Sequence, residues 1–399
     1  MEISVAKIRT KLIQQREKVN NIYLIIWCIY YVYMFLGTTM LNDKWLVLPY
    51  RICVVFTMLI VVYRVISIDN LKTSIFDLLL IVSIIFITGK YYMVHHLKLW
   101  FIWGLMIIAA RDVKFDQIVK VSVISGIIIM ILAFIFSQLG LVEDLIYNTR
   151  GKAAHAFGIC YTTDCAAHVL FIVMGICYLK NGNLKILDYI ILCLITLLLY
   201  ITTRARNNSI CIGILLFASI IYSFLLKKNK ITAFSRRVIS IIFILFPFIF
   251  ALATIYITIN FSTDIHWMVK LDSVLGGRYR MGNEAFENYG ISLWGEMIPQ
   301  VGRARTTIFP SNYFCLDISY ILVFLEKGIA IFSLMIIMLL KTLIKIRKNL
   351  YLMGIIVLIA LQCTVEHHWM ELAYNYFLLI AFAKMNSERD AIYREETIY

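Results

Sequence analysis

Proline and flexible polar stretches are scarce in this chain of 399 residues. Only four prolines occur. No Ser-rich, Gly-rich or charge-dense stretch resembles a linker between separate domains, and no internal repeat is found. A string of independently folded domains is therefore excluded, and one continuous body is predicted.

The nine cysteines show no metal-binding pattern. They stand singly in apolar runs, without a CxxC motif and without neighbouring metal ligands. We therefore expect them to be small apolar fillers of the protein interior.

Hydrophobic residues dominate the composition. They make up 61% of the chain, and the mean hydropathy is +0.83, whereas soluble domains contain about 45 to 50% apolar residues. Lipid is therefore the predicted solvent for most of the chain. Twelve apolar segments can be drawn, at 22–41, 46–66, 74–94, 97–110, 117–140, 158–179, 186–203, 208–226, 238–260, 318–340, 350–365 and 371–385.

Each apolar segment is expected to be helical, because unpaired backbone N–H and C=O groups in hydrocarbon cost several kcal/mol apiece. Roughly 20 helical residues span the hydrocarbon core. The fourth, eleventh and twelfth segments are short, so tilted or re-entrant helices remain open for them. The predicted fold class is an all-α polytopic membrane protein with about twelve transmembrane helices.

The formal charge of +14 has a topological explanation. With the N terminus placed in the cytoplasm, 24 of the 38 basic residues fall on cytoplasmic segments, which agrees with the positive-inside rule. Both termini are therefore predicted to be cytoplasmic, and no nucleic-acid role is indicated. The first apolar run follows a basic tail without an A-x-A cleavage site, so it is expected to be a signal anchor.

One connection is much longer than the others. The predicted organisation is an N-terminal cytoplasmic tail at 1–21, a membrane domain of about nine helices at 22–260, an extracytoplasmic loop at 261–317, a membrane domain of about three helices at 318–385, and a cytoplasmic tail at 386–399. The loop of 57 residues is too polar to span and too long to be a turn. Since loops on a rigid scaffold commonly carry function, we expect function there.

Two polar stretches on the predicted outer side carry paired arginines. Arg204 and Arg206 lie in the tight connection between the seventh and eighth segments, and Arg278 and Arg280 follow two glycines in the long loop. Arginines at helix ends can simply snorkel, and a glycine turn can simply lead to an interfacial amphipathic helix. The functional interpretation is that planar guanidinium groups clamp phosphate oxygens.

The sequence Asp317-Ile318-Ser319-Tyr320 marks the point where the long loop re-enters the membrane. Asp317 or Ser319 could cap the first turn of the following helix. The Asp317 carboxylate could also receive a proton from a sugar hydroxyl. The two roles are compatible, so both remain open.

The stretch from Glu366 to Asn375, between the last two segments, is rich in titratable groups. On a helix, His367, Glu371 and Asn375 would share one face, so a carboxylate could orient an imidazole and raise its basicity. A polar loop without chemistry is the alternative. A zinc site is conceivable but only weakly indicated, because the stretch lacks the HExxH spacing of zinc enzymes, and no metal or cofactor is predicted.

Further polar residues flank the sixth segment. His155, Asp164 and His168 lie at its outer mouth and follow Arg150. They either line the same cavity or pack as polar helix ends. Seven arginines in all are predicted on the outer face, while no paired-carboxylate motif offers a Mg²⁺ site: Arg150, Arg204, Arg206, Arg278, Arg280, Arg303 and Arg305. Fixed cations of this kind suit a lipid diphosphate leaving group.

The order of these motifs resembles that of the bacterial O-antigen and capsular polysaccharide polymerases of the Wzy type, which are related in architecture to the O-antigen ligases. The resemblance covers about residues 150–380. It rests on four stretches, namely Thr203-Arg204-Ala205-Arg206; Gly276-Gly277-Arg278 followed by Glu284-Ala285-Phe286-Glu287-Asn288-Tyr289-Gly290 and Leu293-Trp294-Gly295; Asp317-Ile318-Ser319-Tyr320 with Gly328; and Glu366-His367-His368 with Tyr374-Asn375. The chain departs from the family in Ile318, where an asparagine is usual, and in Thr162-Thr163-Asp164, where His-Pro-Asn is frequent.

The resemblance implies transfer of a growing glycan from undecaprenyl diphosphate onto the non-reducing end of a new lipid-linked repeat unit. The reaction would occur at the outer face of the bacterial cytoplasmic membrane, without metal or nucleotide sugar. The candidate catalytic residues are His367, Asp317, Glu366 and Glu371. The candidate substrate-binding residues are Arg204, Arg206, Arg278, Arg280, Arg150, His155, Tyr320 and Asn375. Expected partners are undecaprenyl-diphosphate-linked oligosaccharides, membrane lipids, a flippase and a chain-length regulator.

Two alternatives stay open at the level of sequence. An O-antigen ligase would hand a finished glycan to another acceptor by the same chemistry. A lipid-linked oligosaccharide flippase or secondary transporter also fits about twelve helices. Transporters commonly show two related halves and a midplane site on broken helices, and the sequence indicates neither.

Overall fold

The computed structural model describes residues 2–41, 44–66, 74–149, 151–227 and 232–386. Helices form nearly all of its regular structure. Their bounds are α1 Glu2–Leu36, α2 Val47–Ile66, α3 Ile75–His95, α4 Lys98–Ala109, α5 Phe115–Gln138, α6 Thr162–Leu179, α7 Ile186–Thr203, α8 Arg206–Lys227, α9 Ala233–Ile259, α10 His266–Val274, α11 Arg278–Tyr289, α12 Ser319–Leu322, α13 Gly328–Lys345 and α14 Leu350–Gln362.

Nine helices in the described part of the chain are long and apolar enough to cross a membrane, so the chain is a multi-pass membrane protein. They are Gln14–Leu36, Lys44–Val65, Ile75–His95, Phe115–Gln138, Thr162–Leu179, Ile186–Thr203, Arg206–Leu225, Ala233–Ile259 and Ser319–Lys345. The three segments that the sequence marks as short account for the difference from twelve. Two of them form the shorter apolar helices α4 and α14, and the last contains a 3₁₀ helix at Tyr376–Ala381.

The short helices lie inside the bundle. A helix surrounded by protein does not have to match the thickness of the hydrocarbon core, as a lipid-facing helix does. Every residue of α4 from Ile102 to Ala109 is buried. In α7 and α9, by contrast, large apolar side chains point outward, as for Ile186, which is 80% exposed, and Phe234, which is 77% exposed. The outer helices therefore present the apolar surface that lipid would cover, and they shield the short ones.

One end of the bundle collects several basic side chains and is called the basic end here. Arg64 donates a hydrogen bond to Asn20 (2.9 Å) and lies 3.6 Å from the Asp112 carboxylate. Lys345 donates to two backbone carbonyls that lie just before Lys384. The Lys384 backbone in turn pairs with residues 113 and 115 on either side of Lys114. The C-terminal ends of α2 and α13, the segment after α4 and the segment after the 3₁₀ helix thus share this end.

The long loop, 261–317, is folded rather than irregular. It contains α10 and α11 and a backbone bridge between Val301 and Phe314. The turn between the two helices needs Gly276 and Gly277, whose φ angles are 75° and 83°, a region that disfavours residues with a Cβ. Asp272 accepts hydrogen bonds from the first free amides of α11, so the loop starts α11 at Arg278.

The all-α expectation has one exception in a small antiparallel hairpin. Strands β1 Ile146–Thr149 and β2 Lys152–His155 pair with Ile146 opposite His155. Tyr147 from β1 is buried, and its hydroxyl donates to the backbone carbonyls of Cys160 and Arg303. The hairpin therefore braces the long loop at the end of the bundle opposite the basic end, which is called the site end here.

Candidate active site at the mouth of the long loop

Ser319 ties the end of the long loop to the turn that follows α14. Its backbone N–H donates to the carbonyls of Cys363 (3.1 Å) and Glu366 (3.2 Å). Its hydroxyl donates to the same Glu366 carbonyl and accepts from the N–H of Trp369. These bonds bring Asp317 and Glu366 to the same place, although 49 positions separate them in the chain.

Asp317 does not cap α12. The cap position is occupied by Ile318, and no side-chain capping bond is present there. The Asp317 carboxylate instead accepts a hydrogen bond from Nε of Arg278 at 3.0 Å. The capping interpretation of Asp317 is therefore wrong, and its carboxylate faces the arginine that begins α11.

Arg278 lies between two carboxylates at the start of α11. Besides Asp317, its Nη1 lies 3.7 Å from Oε1 of Glu366, and the Arg278 side chain is 15% exposed. Burial of the guanidinium acts most strongly and lowers its pKa, but the charges of Glu366 and Asp317 together raise that pKa above its ordinary value. Arg278 is thus a fixed cation held between the carboxylates of Asp317 and Glu366.

Two histidines extend this cluster. Nδ1 of His368 lies 2.8 Å from Oε2 of Glu371, and Nε2 of His367 lies 3.8 Å from Oε1 of the same carboxylate. On the other side, Nδ1 of His367 lies 4.0 Å from Oδ1 of Asp317. His367 is therefore flanked by two carboxylates that belong to different parts of the chain.

The helix-face prediction for this stretch is only partly right. Residues 363–375 form turns instead of an α-helix. His367 and Glu371 do approach one another, but Asn375 points elsewhere and donates to the Trp369 carbonyl at 2.8 Å. The imidazole that hydrogen-bonds Glu371 is His368, which the sequence argument passed over because i,i+4 spacing favoured its neighbour.

Enclosure by the protein sets the charge states of the cluster. Burial lowers the pKa of His368 to about 3, and burial together with His368 lowers the pKa of His367. Burial also raises the pKa values of Glu366 and Glu371. All four shifts favour the neutral form of each group, so the site holds groups that can exchange protons.

Asp164 joins the cluster from the first turn of α6. Its Oδ1 lies 4.0 Å from Nε2 of His368, and its side chain is 14% exposed. The sequence left open whether Asp164 lines the same cavity, and the structure places its carboxylate beside His368. Two buried atoms of the cluster lack a hydrogen-bond partner, namely Nε2 of His368 and Oε2 of Glu366.

The connection between α7 and α8 adjoins the same cluster. Asn207 lies beside Glu366, where its amide acts to lower the carboxyl pKa. Asn208 accepts from Nε2 of Gln362 (3.4 Å) and donates to the carbonyl of Thr163 (3.2 Å), so it links α8 to α14 and α6. Arg204 ends α7 in a left-handed conformation, with its Nε buried and unpartnered.

The other predicted arginines do not join Arg278 in a single cradle. Arg206 is exposed and lines a cleft between α7 and α8, and the Arg280 side chain is exposed. Arg303 stacks over the ring of Tyr147 at 4.9 Å, and Arg305 donates to the Gly37 carbonyl at 2.7 Å. Arg150 lies outside the described residues.

Three further candidates hold the scaffold. His155 pairs with Asp144 at 2.7 Å in the hairpin region. Tyr320 is fully buried and donates to the Ala360 carbonyl at 2.8 Å, and Asn375, 2% exposed, holds the turn at Trp369. Their hydrogen bonds stabilise the fold around the cluster rather than the cluster itself.

A cavity of about 270 Å³ opens beside the cluster. Its lining combines His367 and Glu371 with polar groups from the long loop and from the turn just before α13, including Gln300 and the ion-paired Glu326 and Lys327. Trp100 adds an aromatic face, over which the Lys327 ammonium lies at 4.5 Å from the ring centroid. A small polar group could therefore reach His367 from this side.

No protein-family model, curated protein or solved structure matches this chain. The arrangement itself supports two kinds of chemistry. Arg278 offers a fixed positive charge to an anion, and the surrounding carboxyl and imidazole groups can accept or donate protons.

Proposed function

We propose that the chain is a polysaccharide polymerase that joins undecaprenyl-diphosphate-linked oligosaccharide repeat units. The observation that carries the proposal is the cluster in which Arg278 contacts Asp317 and Glu366 while His367 lies between Asp317 and Glu371. A cation for the diphosphate and a base for the acceptor hydroxyl are the two groups this transfer needs.

In the proposed reaction, an acceptor sugar hydroxyl attacks the anomeric carbon of the donor glycan. The bond from that carbon to the diphosphate oxygen breaks, and undecaprenyl diphosphate leaves with the electron pair. The hydroxyl proton passes to the cluster, in which His367 and the carboxyl groups of Asp317, Glu366 and Glu371 are the candidate acceptors.

Arg278 is the residue best suited to stabilise the leaving diphosphate. Its Nε–H is the donor to Asp317, whereas Glu366 lies at 3.7 Å, beyond hydrogen-bond distance. The outer guanidinium nitrogens therefore have donors to offer to a phosphate oxygen. Arg204 is a second candidate because its turn adjoins Glu366, while Arg206 and Arg280 would meet the lipid diphosphate at the exposed rim.

We further propose twelve crossings of the bacterial cytoplasmic membrane, with both termini in the cytoplasm and the site end outside. Each short segment runs from one end of the bundle to the other. In the fourth segment, Trp100 lies near Lys327 at the site end, whereas Asp112, just after the segment, contacts Arg64 at the basic end. Likewise, Trp369 contacts Ser319, and Lys384 pairs with the backbone around Lys114.

The test is glycan analysis in a strain that lacks the chain and is complemented with variants. Arg278→Ala and Arg204→Ala are expected to abolish long glycan while single lipid-linked repeat units accumulate. Arg278→Lys keeps the charge but loses the planar fork, so it should restore only part of the product. Gel electrophoresis of the glycan gives the chain lengths, and immunoblotting of the membrane fraction gives the protein level.

Arg237→Ala is the matched control, because Arg237 is exposed at the start of α9, away from the cluster. It should leave the glycan pattern unchanged. Wild-type chain lengths in Arg278→Ala would reject the arginine assignment. Long lipid-linked polymer in the deletion strain would indicate a ligase instead, and failure of repeat units to reach the outer leaflet would indicate a transporter.

A further inference from the structure

Asp164, His367 and His368 bring three potential metal ligands together beside the proposed catalytic groups. One ligand atom from each residue lies within 4.8 Å of the other two. The three residues come from two separate parts of the chain, the first turn of α6 and the turn after α14. His368 encloses the site most, since its side chain is 0% exposed, whereas the side chains of Asp164 and His367 are 14% and 30% exposed.

The orientation of His368 gives the first reason to place a cation there. Nδ1 lies 2.8 Å from Oε2 of Glu371, and an ionised Glu371 accepts the Nδ1 proton. Nε2 then carries a lone pair, and it lies buried, 4.0 Å from Oδ1 of Asp164, without any hydrogen-bond partner. A cation held between these two atoms would give a partner to both.

The balance of charge gives a second reason. Four carboxyl groups lie in the cluster, those of Asp164, Asp317, Glu366 and Glu371. The ion pairs described above supply one guanidinium, that of Arg278. Burial disfavours the ionised form of such carboxyl groups, and a bound divalent cation would stabilise that form.

The donor set indicates which cation would bind. Two imidazoles and one carboxylate suit Zn²⁺ or a similar transition metal, whereas Mg²⁺ and Ca²⁺ prefer oxygen ligands. Two ligands of a tetrahedral ion at about 2.1 Å lie roughly 3.4 Å apart. Asp164 and His368, whose ligand atoms lie 4.0 Å apart, would therefore have to approach by about 0.6 Å, and a pair at the 4.8 Å limit by about 1.4 Å.

We propose that Asp164, His367 and His368 form a Zn²⁺ site, with Glu371 orienting His368 as an outer carboxylate. Such carboxylate–histidine–metal arrangements fix the ring and its tautomer. The proposal goes beyond the polymerase assignment and departs from the expectation of a metal-free site. With zinc on His367, the base for the acceptor hydroxyl would be Asp317, which contacts both His367 and Arg278.

The test measures zinc on the full-length protein, purified in detergent without a histidine tag. The protein is loaded with Zn²⁺ and desalted, and the metal content per chain is measured by inductively coupled plasma mass spectrometry. One zinc ion per chain is expected in the wild type. Asp164→Asn and His368→Ala should lose nearly all of it, and Glu371→Gln should bind about 10- to 100-fold more weakly in competition with a chromophoric chelator. Mg²⁺ should not compete.

His266→Ala is the matched control, since His266 is an exposed histidine of the long loop. It should retain the full zinc content. Asp164→Asn is nearly isosteric, so it decides the question if His368→Ala elutes as an aggregate in size-exclusion chromatography. A wild type without zinc, or equal zinc in the wild type and in Asp164→Asn, would overturn the proposal. Because the readout is metal content, this outcome is separate from the glycan test of the polymerase.

Discussion

One buried hydroxyl, that of Ser319, fixes the end of the long loop against the turn after α14. Ser319 is fully buried, and its hydroxyl serves two backbone groups in the turn that carries the histidines. Without that hydroxyl, the N–H of Trp369 would lose its partner. The position of Glu366 relative to Arg278 therefore depends on one neutral side chain, which bonds the backbone carbonyl of Glu366 and not its carboxyl group.

Ser319→Ala is expected to lower stability by about 1 to 3 kcal/mol, because it leaves a buried backbone donor unsatisfied. It should also reduce the amount of long glycan, since Glu366 and His367 lose their anchor. Thermal unfolding in detergent, followed by intrinsic fluorescence, measures the first effect.

Ser311→Ala provides the comparison for that variant, because Ser311 is exposed in the same loop. Its unfolding temperature should match that of the wild type. If Ser319→Ala unfolded at the same temperature as Ser311→Ala, the anchoring role of the Ser319 hydroxyl would be refuted.

A π-helical turn at Val323–Lys327 lets the long loop dock on the helix that follows it. A π-turn interrupts the regular backbone ladder. Here the carbonyl of Leu325 accepts from the N–H of Glu296, and the first amides of α13 donate to the carbonyls of residues 292 and 293. The loop is thus held by backbone bonds that an uninterrupted helix would not offer.

The docking depends on two glycines that lie against each other. Gly295 and Gly328 have φ angles of 79° and 83°. A Cβ on Gly295 would overlap the carbonyl of Glu326, and one on Gly328 would overlap the backbone of Gly295. Close approach and backbone conformation therefore both require glycine here.

Gly328→Ala is expected to detach the 292–296 segment from α13, with loss of long glycan and faster proteolytic cleavage within the long loop. The reason is steric, since backbone cannot move aside as a flexible side chain can. Limited proteolysis of the detergent-solubilised protein, read by mass spectrometry, locates the cleavage.

Gly290→Ala separates strain from crowding. Gly290 also has a positive φ angle, 66°, with ψ −165°, but nothing lies within 4 Å of the place of its Cβ. It should suffer only the backbone penalty, roughly 1 to 3 kcal/mol. Equal cleavage of the two variants would argue against the docking interpretation.

For the whole molecule, the charge distribution and the contacts between distant segments describe one orientation. Arg64, Lys345 and Lys384 meet at the basic end, while Arg278, Asp317 and the two histidines meet at the site end. If the positive-inside rule orients the bundle, the basic end faces the cytoplasm. The cluster then opens at the outer surface.

Cysteine labelling in intact cells tests this orientation. Asn312→Cys, exposed in the long loop, should react with a membrane-impermeant maleimide, whereas Lys348→Cys, exposed after α13, should react only after permeabilisation. The wild type serves as the control for its nine native cysteines. The reverse pattern of labelling would invert the orientation and contradict the proposed outer location of the site.

The sequence by itself determined that the chain is a multi-pass membrane protein made of helices. That much follows from composition and segment length, because hydrocarbon forces backbone groups to pair within each segment. Segment length also marked the three apolar segments that do not form long helices. The sequence likewise singled out Arg278, Asp317, Glu366, His367 and Glu371, because charged groups next to apolar helices are costly without a partner.

Only the tertiary structure decided which of these groups meet. Asp164 and Glu366 join the cluster because Asn208, Ser319 and the π-helical turn fix backbone segments that lie far apart in the chain. Helical spacing predicted His367 as the partner of Glu371, and the structure has His368 instead, because the 363–375 stretch forms turns in which side-chain direction no longer follows a helical period. Partners across the fold are set by packing and backbone hydrogen bonds, and no periodicity in the sequence encodes those directly.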